Sequence, residues 1–399
     1  MKCCDFCVLH DRIPQVDIEE NGICSVCNDH TKNKELNRVS AMYFKKKLKE
    51  ELDSQKNKHQ LYDAIVLFSG GKDSTYLLDM IKNDFNLRVL ALSSINPLSS
   101  ALALENMNTV LKNMNVDTMK LYVDERMYKK LIKYSLEEGY KIYPSEGLGC
   151  ETCSFLFKNA ALNIALKLDI PFIFDGSDMA QTGRPVYLDG KKMKENAANG
   201  IKPFGKLHDI FDSAFHDEHK GSIYDYQYEY YKTKEFPSYV SPFSFIDYDF
   251  RKNQNRLNEL GMSEKQSKTI LTNCDAIPFF SLFSVLRYDA PVYIRTYASE
   301  IRIGYPFMQQ SLLSKTNKAV TLSKEKIQSL IEEYKSVVLY IAKHKSDIGN
   351  EDKIKKEVFS MAKTHKEVYG EDVCETFFNH VKKIHYYADF FNMDLSNIE

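Results

Sequence analysis

Short apolar runs alternate with amphipathic stretches through the first half of the chain. Ala64–Phe68 is a compact, partly β-branched run, too short for a helix and suited to a buried strand. Ser69-Gly70-Gly71 breaks it, and from Asp73-Ser74 onward Tyr76, Leu77 and Met80 recur at helical spacing. Arg88–Ser93, Thr118–Val123 and Ile170–Phe174 read as further strands, and Ala101–Met114, Met127–Glu138 and Ser154–Leu168 as helices. Such alternation predicts an α/β fold built on a doubly wound parallel sheet. Ser323–Lys345 and Lys353–Phe391 carry amphipathic helical patterns, which predicts a mainly helical C-terminal region for substrate binding or dimerisation. Lys32–Gln60 is rich in Lys, Glu and Asn, with Met42, Tyr43, Leu48 and Leu52 as its sparse apolar residues. It reads as a solvated linker helix. Asp189–Lys202 reads as a mobile loop suited to a lid. The expected division is 1–35, 36–60, 61–190 and 191–399.

The formal net charge of −1 leaves no electrostatic excess for holding a long polyanion. A small-molecule substrate is therefore expected ahead of tRNA. No apolar run reaches membrane-spanning length, and MKCCDFC is not a signal peptide. These features predict a cytoplasmic protein with no membrane partner.

The break after the first strand carries the clearest chemistry. Two adjacent glycines let backbone N–H groups converge on one concavity, with the positive end of a helix behind them. Lys72 adds an ammonium, and Ser69 and Ser74 add hydroxyl donors. The result is a phosphate cradle, although Gly70 and Gly71 are adjacent, so a Walker A loop is excluded. The string SGGKDS resembles the PP-loop of the N-type ATP pyrophosphatase superfamily. That resemblance implies a Rossmann-like domain that cuts ATP between its α and β phosphates and transfers AMP to a substrate oxygen. It implies nucleotide contacts from Ser69, Gly70, Gly71, Lys72, Asp73 and Ser74, with Mg²⁺ on Asp73. It also brings Ser93 and Ser94 near the nucleotide, together with the acidic turn Gly176-Ser177-Asp178, whose Asp178 is taken as catalytic.

Seven of the nine cysteines fall in two clusters. Cys4-x-x-Cys7 and Cys24-x-x-Cys27, sixteen residues apart, have the spacing of a zinc ribbon, in which the metal supplies folding energy that so short a segment lacks. Gly22 suits the tight turn before the second pair. Cys3 and His30 are additional candidate ligands. Cys150-x-x-Cys153 is expected at a helix start, where the helix dipole would favour a thiolate. Tyr224–Tyr231 is dense in tyrosine and reads as an amphipathic surface.

The segment CCDFCVLHDRIPQVDIEENGICSVCNDH resembles the N-terminus of N-acetyl sugar amidotransferases. Cys4, Cys7 and Val8 fit the opening, Asp11 and Pro14 an extended piece, Glu19 and Glu20 an acidic patch, and Gly22, Cys24 and Cys27 the close. That resemblance implies adenylation of a carbonyl oxygen followed by displacement of AMP by ammonia, which a separate glutaminase subunit would supply. PP-loop sulfurtransferases of the tRNA-thiolating type are the second resemblance, carried by Ala180-Gln181-Thr182. In some of them a [4Fe-4S] cluster sits on a CxxC and a third, distant cysteine, a pattern that Cys150, Cys153 and Cys274 match. The ribbon and the charge favour nitrogen transfer to a small molecule. A persulfide or cluster on these three cysteines is the sulfur alternative. A homodimer is an open expectation.

Overall fold

The computed structural model describes residues 1–55, 61–226, 228–248, 254–262, 274–303, 322–344, 351–369 and 371–395. Its chain divides into two compact units, each assembled from separate stretches of sequence.

One unit, 33–131 with 151–267, holds a six-stranded sheet. Its strands are β1 (Ala64–Leu67), β2 (Val89–Ile95), β3 (Asp117–Tyr122), β4 (Phe172–Phe174), β5 (Val186–Leu188) and β6 (Ser238–Ser241), in the order β3-β2-β1-β4-β6-β5. All neighbours pair parallel except β5, which runs antiparallel to β6 at the edge. β1 is central because all four of its residues are buried and apolar, so neither face needs solvent. One face meets Leu77, Leu78, Ile81, Val110 and Leu111 from the helices Lys72–Asp79 (with its extension Met80–Asp84) and Ala101–Met114. The other meets Ala161, Leu162 and Ala165 from the helix Leu148–Leu168. The sheet is thus covered on both faces, as a doubly wound fold requires.

The sheet continues past residue 190, because β6 enters it from Ser238–Ser241. Asp189–Lys202 also departs from the loop expected there. Gly190–Ala198 is a helix, capped by the Asp189 carboxylate, which accepts from the Lys191 and Lys192 N–H groups. Met193 and Ala197 recur at i, i+4 and are buried, so a capped amphipathic turn outweighs the polar composition.

The second unit, 1–32 with 132–150 and 268–399, is helical and carries the N-terminal cysteines. Its helices include Ile277–Tyr288, Ile294–Ile303, Lys324–Lys343 and Glu351–Met361. The cysteine-rich segment does not stand apart as a ribbon. Val8, Leu9, Ile13 and Val16 share one apolar core with Ala290, Ile294, Ala298, Ile327, Leu330 and Ile331. The long helix α1 (Ser25–Gln55) starts at the second cysteine pair. Among the described residues, no helix is long and apolar enough to cross a membrane.

Candidate functional site

The glycine pair lies at the carboxyl end of β1. The strand ladder continues one residue past Leu67, since the Phe68 N–H donates to the Leu92 carbonyl at 2.8 Å. β2 flanks β1 on one side and β4 on the other, so the chain order reverses here. Ligand crevices of open α/β sheets form at such a switch point. Gly70 has φ +76°, and a Cβ there would lie 2.5 Å from the Ala103 carbonyl oxygen. Only glycine satisfies both conditions. Gly71 caps the helix Lys72–Asp79 and offers it no side-chain cap bond, leaving N–H groups for an anion. Ser74 Oγ donates to the Gly71 carbonyl at 3.0 Å and accepts from the Ser69 N–H at 3.3 Å, closing the loop on itself.

Lys72 Nζ donates to Asp73 Oδ2 at 3.0 Å, and the Tyr248 hydroxyl donates to Asp73 Oδ1 at 2.6 Å. The turn after β4 comes against the same helix start: a Cβ on Gly176 would sit 3.3 Å from the Ser74 nitrogen. Asp178 caps the short turn Met179–Thr182 through a reciprocal bond with Gln181. Burial, and then the charge of Asp73, lift the Asp178 carboxyl above the usual carboxylate range, with Lys72 pulling the other way. Two carboxylates and an ammonium beside a glycine turn suit a divalent cation next to an anion. Mg²⁺ would be held by Asp73 and Asp178, and it would relieve the repulsion that disfavours ionised Asp178. Ser93, in β2, is fully buried, and its Oγ has no partner.

Three residues here escaped the sequence reading. Asp175 accepts from the Tyr239 hydroxyl and from Ser177 Oγ at 3.0 Å, and Lys158 Nζ lies 3.4 Å away. Burial pushes the Asp175 carboxyl up, yet Lys158, Tyr239 and Ser177 together hold it below its ordinary value. Tyr248, Tyr239 and Lys158 lie far along the chain from the residues they serve, so no local spacing marks them. Asp175 was visible only as part of an acidic turn.

The N-terminal cysteines make a second site. Cys4, Cys7, Cys24 and Cys27 are buried, and their sulfur atoms all lie within 4.8 Å of one another. Cys7 and Cys24 Sγ are 3.8 Å apart, about the sulfur separation of a tetrahedral zinc tetrathiolate. Backbone N–H groups donate to the sulfurs: Cys7 and Cys24 to Cys4, Leu9 to Cys7, and Cys27 to Cys24, at 3.3–3.5 Å. Arg302 Nη1 stands 3.9 Å from Cys7 Sγ and 3.8 Å from Cys27 Sγ, offsetting negative charge on the set. The donors fit a zinc ion. Exposed Cys3 lies outside the four, as does His30. Among the described residues this is the one such group of three or more potential ligands.

Cys150 and Cys153 lie inside the helix Leu148–Leu168, which begins earlier than expected. Cys153 Sγ accepts from Asn96 Nδ2 at 3.4 Å, and burial raises its thiol despite a hydrogen bond with Tyr128. A neutral thiol is thereby favoured over the thiolate expected at a helix start. Tyr293 is held well above the usual phenol range by burial first, then by the electrostatic influence of Cys150 and Cys274. Burial also raises Tyr334, with a smaller push from Cys150. Cys150 and Cys274, 124 positions apart, thus act on the same phenol.

No family model matches this chain. An uncharacterized protein of Methanocaldococcus jannaschii, MJ1599, is 29% identical over 136 residues, which cover 34% of this chain and 46% of that protein. The chain thus matches less than half the length of this curated relative. Among solved structures, a U34-tRNA thiolase, NcsA from Methanococcus maripaludis with its [4Fe-4S] cluster, aligns with a TM-score of 0.29. It has 13% identity and covers 79% of this chain and 89% of the thiolase.

Proposed function

We propose that the protein is an ATP-dependent enzyme that adenylates an oxygen of its substrate, releases pyrophosphate, and replaces the adenylated oxygen with sulfur. What supports the choice of sulfur is that Cys150 and Cys274, distant in sequence, both act electrostatically on the buried Tyr293 hydroxyl. Nitrogen transfer gives Cys274 no reason to be there.

The glycine turn and the helix N–H groups behind it bind the phosphates, and Lys72 neutralises charge that builds on the departing pyrophosphate. Asp73, oriented by Tyr248, and Asp178 would hold Mg²⁺, which would supply charge neutralisation for the phosphates. The substrate oxygen attacks the α-phosphorus, pyrophosphate leaves, and a poor leaving group has become AMP. Sulfur arrives as a persulfide on Cys150. Its terminal sulfur attacks the activated carbon and AMP departs. The Cys274 thiolate then attacks Cys150 Sγ, freeing the thiolated product and leaving a Cys150–Cys274 disulfide for an external thiol to reduce. Among the described residues Cys150, Cys153 and Cys274 do not form a gathered set of metal ligands, and the persulfide route needs no cluster.

The cysteine-rich N-terminus favours the second reading, amide-nitrogen transfer with ammonia from a glutaminase, through its resemblance to sugar amidotransferases. The two part in one experiment. Purified anaerobically, the protein is assayed for AMP and pyrophosphate with a low-molecular-weight persulfide plus a reducing thiol, or with ammonium, as donor, beside Lys72→Ala and Cys274→Ala. Persulfide-dependent turnover lost in Cys274→Ala supports sulfur transfer, and ammonium-dependent turnover that survives it supports the second reading. ADP and phosphate as products would remove both. Iron and sulfide analysis of the same sample tests for a cluster.

A further inference from the structure

The helix α1 has two unlike sides. Phe44, Leu48 and Leu52 turn inward to the core around β1, and Lys47 and Glu51 meet Asp189 and Tyr187 on that side. The opposite side bears Leu36, Val39, Met42 and Tyr43, each 50–63% exposed. Scattered exposed apolar residues need no explanation, but four within about two turns of one helix face form a stripe. The sparse apolar residues alone predict a solvated linker here. Their arrangement matters more than their number.

Along that face Lys32, Leu36, Val39, Tyr43, Lys46 and Glu50 follow a 4-3-4-3-4 spacing, the seam of a two-stranded coiled coil. All six are exposed. The order is self-complementary about a point between Ser40 and Met42. Turned antiparallel against a second copy of itself, the seam sets Val39 opposite the partner's Tyr43, and Leu36 against the methylene stem of the partner's Lys46. Lys32 then meets the partner's Glu50, and Glu35, on the flank, the partner's Lys46. Within one chain Glu35 pairs with Arg38 at 2.5 Å and Lys46 with Glu50 at 3.6 Å, all four strongly exposed. Such exposed pairs hold little energy and give way readily.

We infer that this face of α1 is a twofold docking surface for a second copy of the same chain, joined as an antiparallel helix pair. The occupant follows from the charges, since a twofold axis near residue 41 sets Lys32 against Glu50, brings Lys46 to the flanking Glu35 and leaves the apolar residues in the middle. The seam is roughly 27 Å long, so the contact belongs with modest interfaces and a dissociation constant of about 1–100 μM. The inference is independent of the reaction proposed above.

Sedimentation velocity on the full-length protein between about 1 and 300 μM tests it. The wild type is expected to pass from monomer to dimer. Glu35→Lys and Lys46→Glu are each expected to weaken the dimer about two- to thirtyfold, because each breaks two symmetry-related pairs. The double exchange E35K/K46E restores the cross-chain pairs while leaving the intrachain ones disrupted, so its affinity should return to within about threefold of wild type. Val39→Asp, which places a charge on the seam, should lose about 100-fold or more. Circular dichroism on each variant checks that the helix persists. A wild type monomeric throughout overturns the inference. So does a dimer insensitive to Val39→Asp, or a double exchange weaker than either single variant.

Discussion

The Tyr248 hydroxyl reaches Asp73 across 2.6 Å, although 175 residues separate them. Tyr248 stacks on Phe243 with ring centroids 3.9 Å apart, and Tyr76 lies against both rings. An aromatic stack thereby fixes one oxygen of the carboxylate that we assign to Mg²⁺, while Lys72 holds the other. Tyr248→Phe keeps the stack and removes the bond. Pyrophosphate release should fall about 10- to 100-fold, with a raised Mg²⁺ requirement. An unchanged Mg²⁺ dependence would argue against Asp73 as the ligand.

Asp178 exchanges stability for charge. Its folded-state carboxyl is lifted by burial and by Asp73, so ionisation costs more in the folded chain than in the unfolded one. Stability is therefore lost as pH rises through the unfolded value. Asp178→Asn retains an acceptor for the Gln181 N–H and so keeps the cap. Without Mg²⁺ it should melt roughly 2 °C above wild type at pH 8, with the gap closing toward pH 4, while pyrophosphate release is lost. Thermal melts at the two pH values, beside the activity assay, read both effects.

The cysteine quartet should bind one zinc per chain, and Cys24→Ala should release it. The damage should not stop at the first residues, since Val8 and Leu9 share a core with Ile294, Ile327 and Leu330. A loss above about 4 kcal/mol is expected, because metal binding supplies folding energy. Metal analysis and proteolysis of the C-terminal helices would reveal it. Zinc loss that left those helices protected would show that the segment folds on their surface alone.

Glu333 supplies a pH signature of its own. Burial raises its carboxyl, but hydrogen bonds from His365 and Thr364 prevail and bring it from 4.5 to about 2. Its oxygens accept from the Thr364 N–H at 2.6 Å, and from the His365 N–H and Nδ1 at 3.0 and 2.9 Å. The unfolded chain binds this proton first as pH falls, so the contribution is complete above about 4.5 and is lost progressively toward about 2. Glu333→Gln should cost about 1–3 kcal/mol at neutral pH, and denaturant titrations at pH 7 and pH 3 should find the difference reduced at the lower value.

The parallel sheet was legible where residues buried on both faces left continuous apolar runs. Ala64–Phe68 and Ile170–Phe174 announced β1 and β4, and Ala101–Met114 was matched to the residue. β5 and β6 were not legible. Each is three or four residues long, and Ser238-Tyr239-Val240-Ser241 places polar residues at positions that a neighbouring strand then covers. The glycine turn was legible because its geometry is local. Lys158, Tyr239 and Tyr248 act across the fold and carry no spacing signal. Cys150 and Cys274 stood in the sequence as a CxxC and a lone cysteine, and folding brings both to bear electrostatically on Tyr293.

The reversal of strand order at β1 also makes this crevice portable. The loops after β1 and β4 part because the chain leaves β1 toward β2 and returns on its far side, and that divergence belongs to connectivity rather than to any side chain. A descendant could exchange its edge strands, its C-terminal helices and its donor chemistry and still inherit the crevice. A single residue inserted between Phe68 and Lys72 would close it, since Gly70 is already hemmed in by the Ala103 carbonyl.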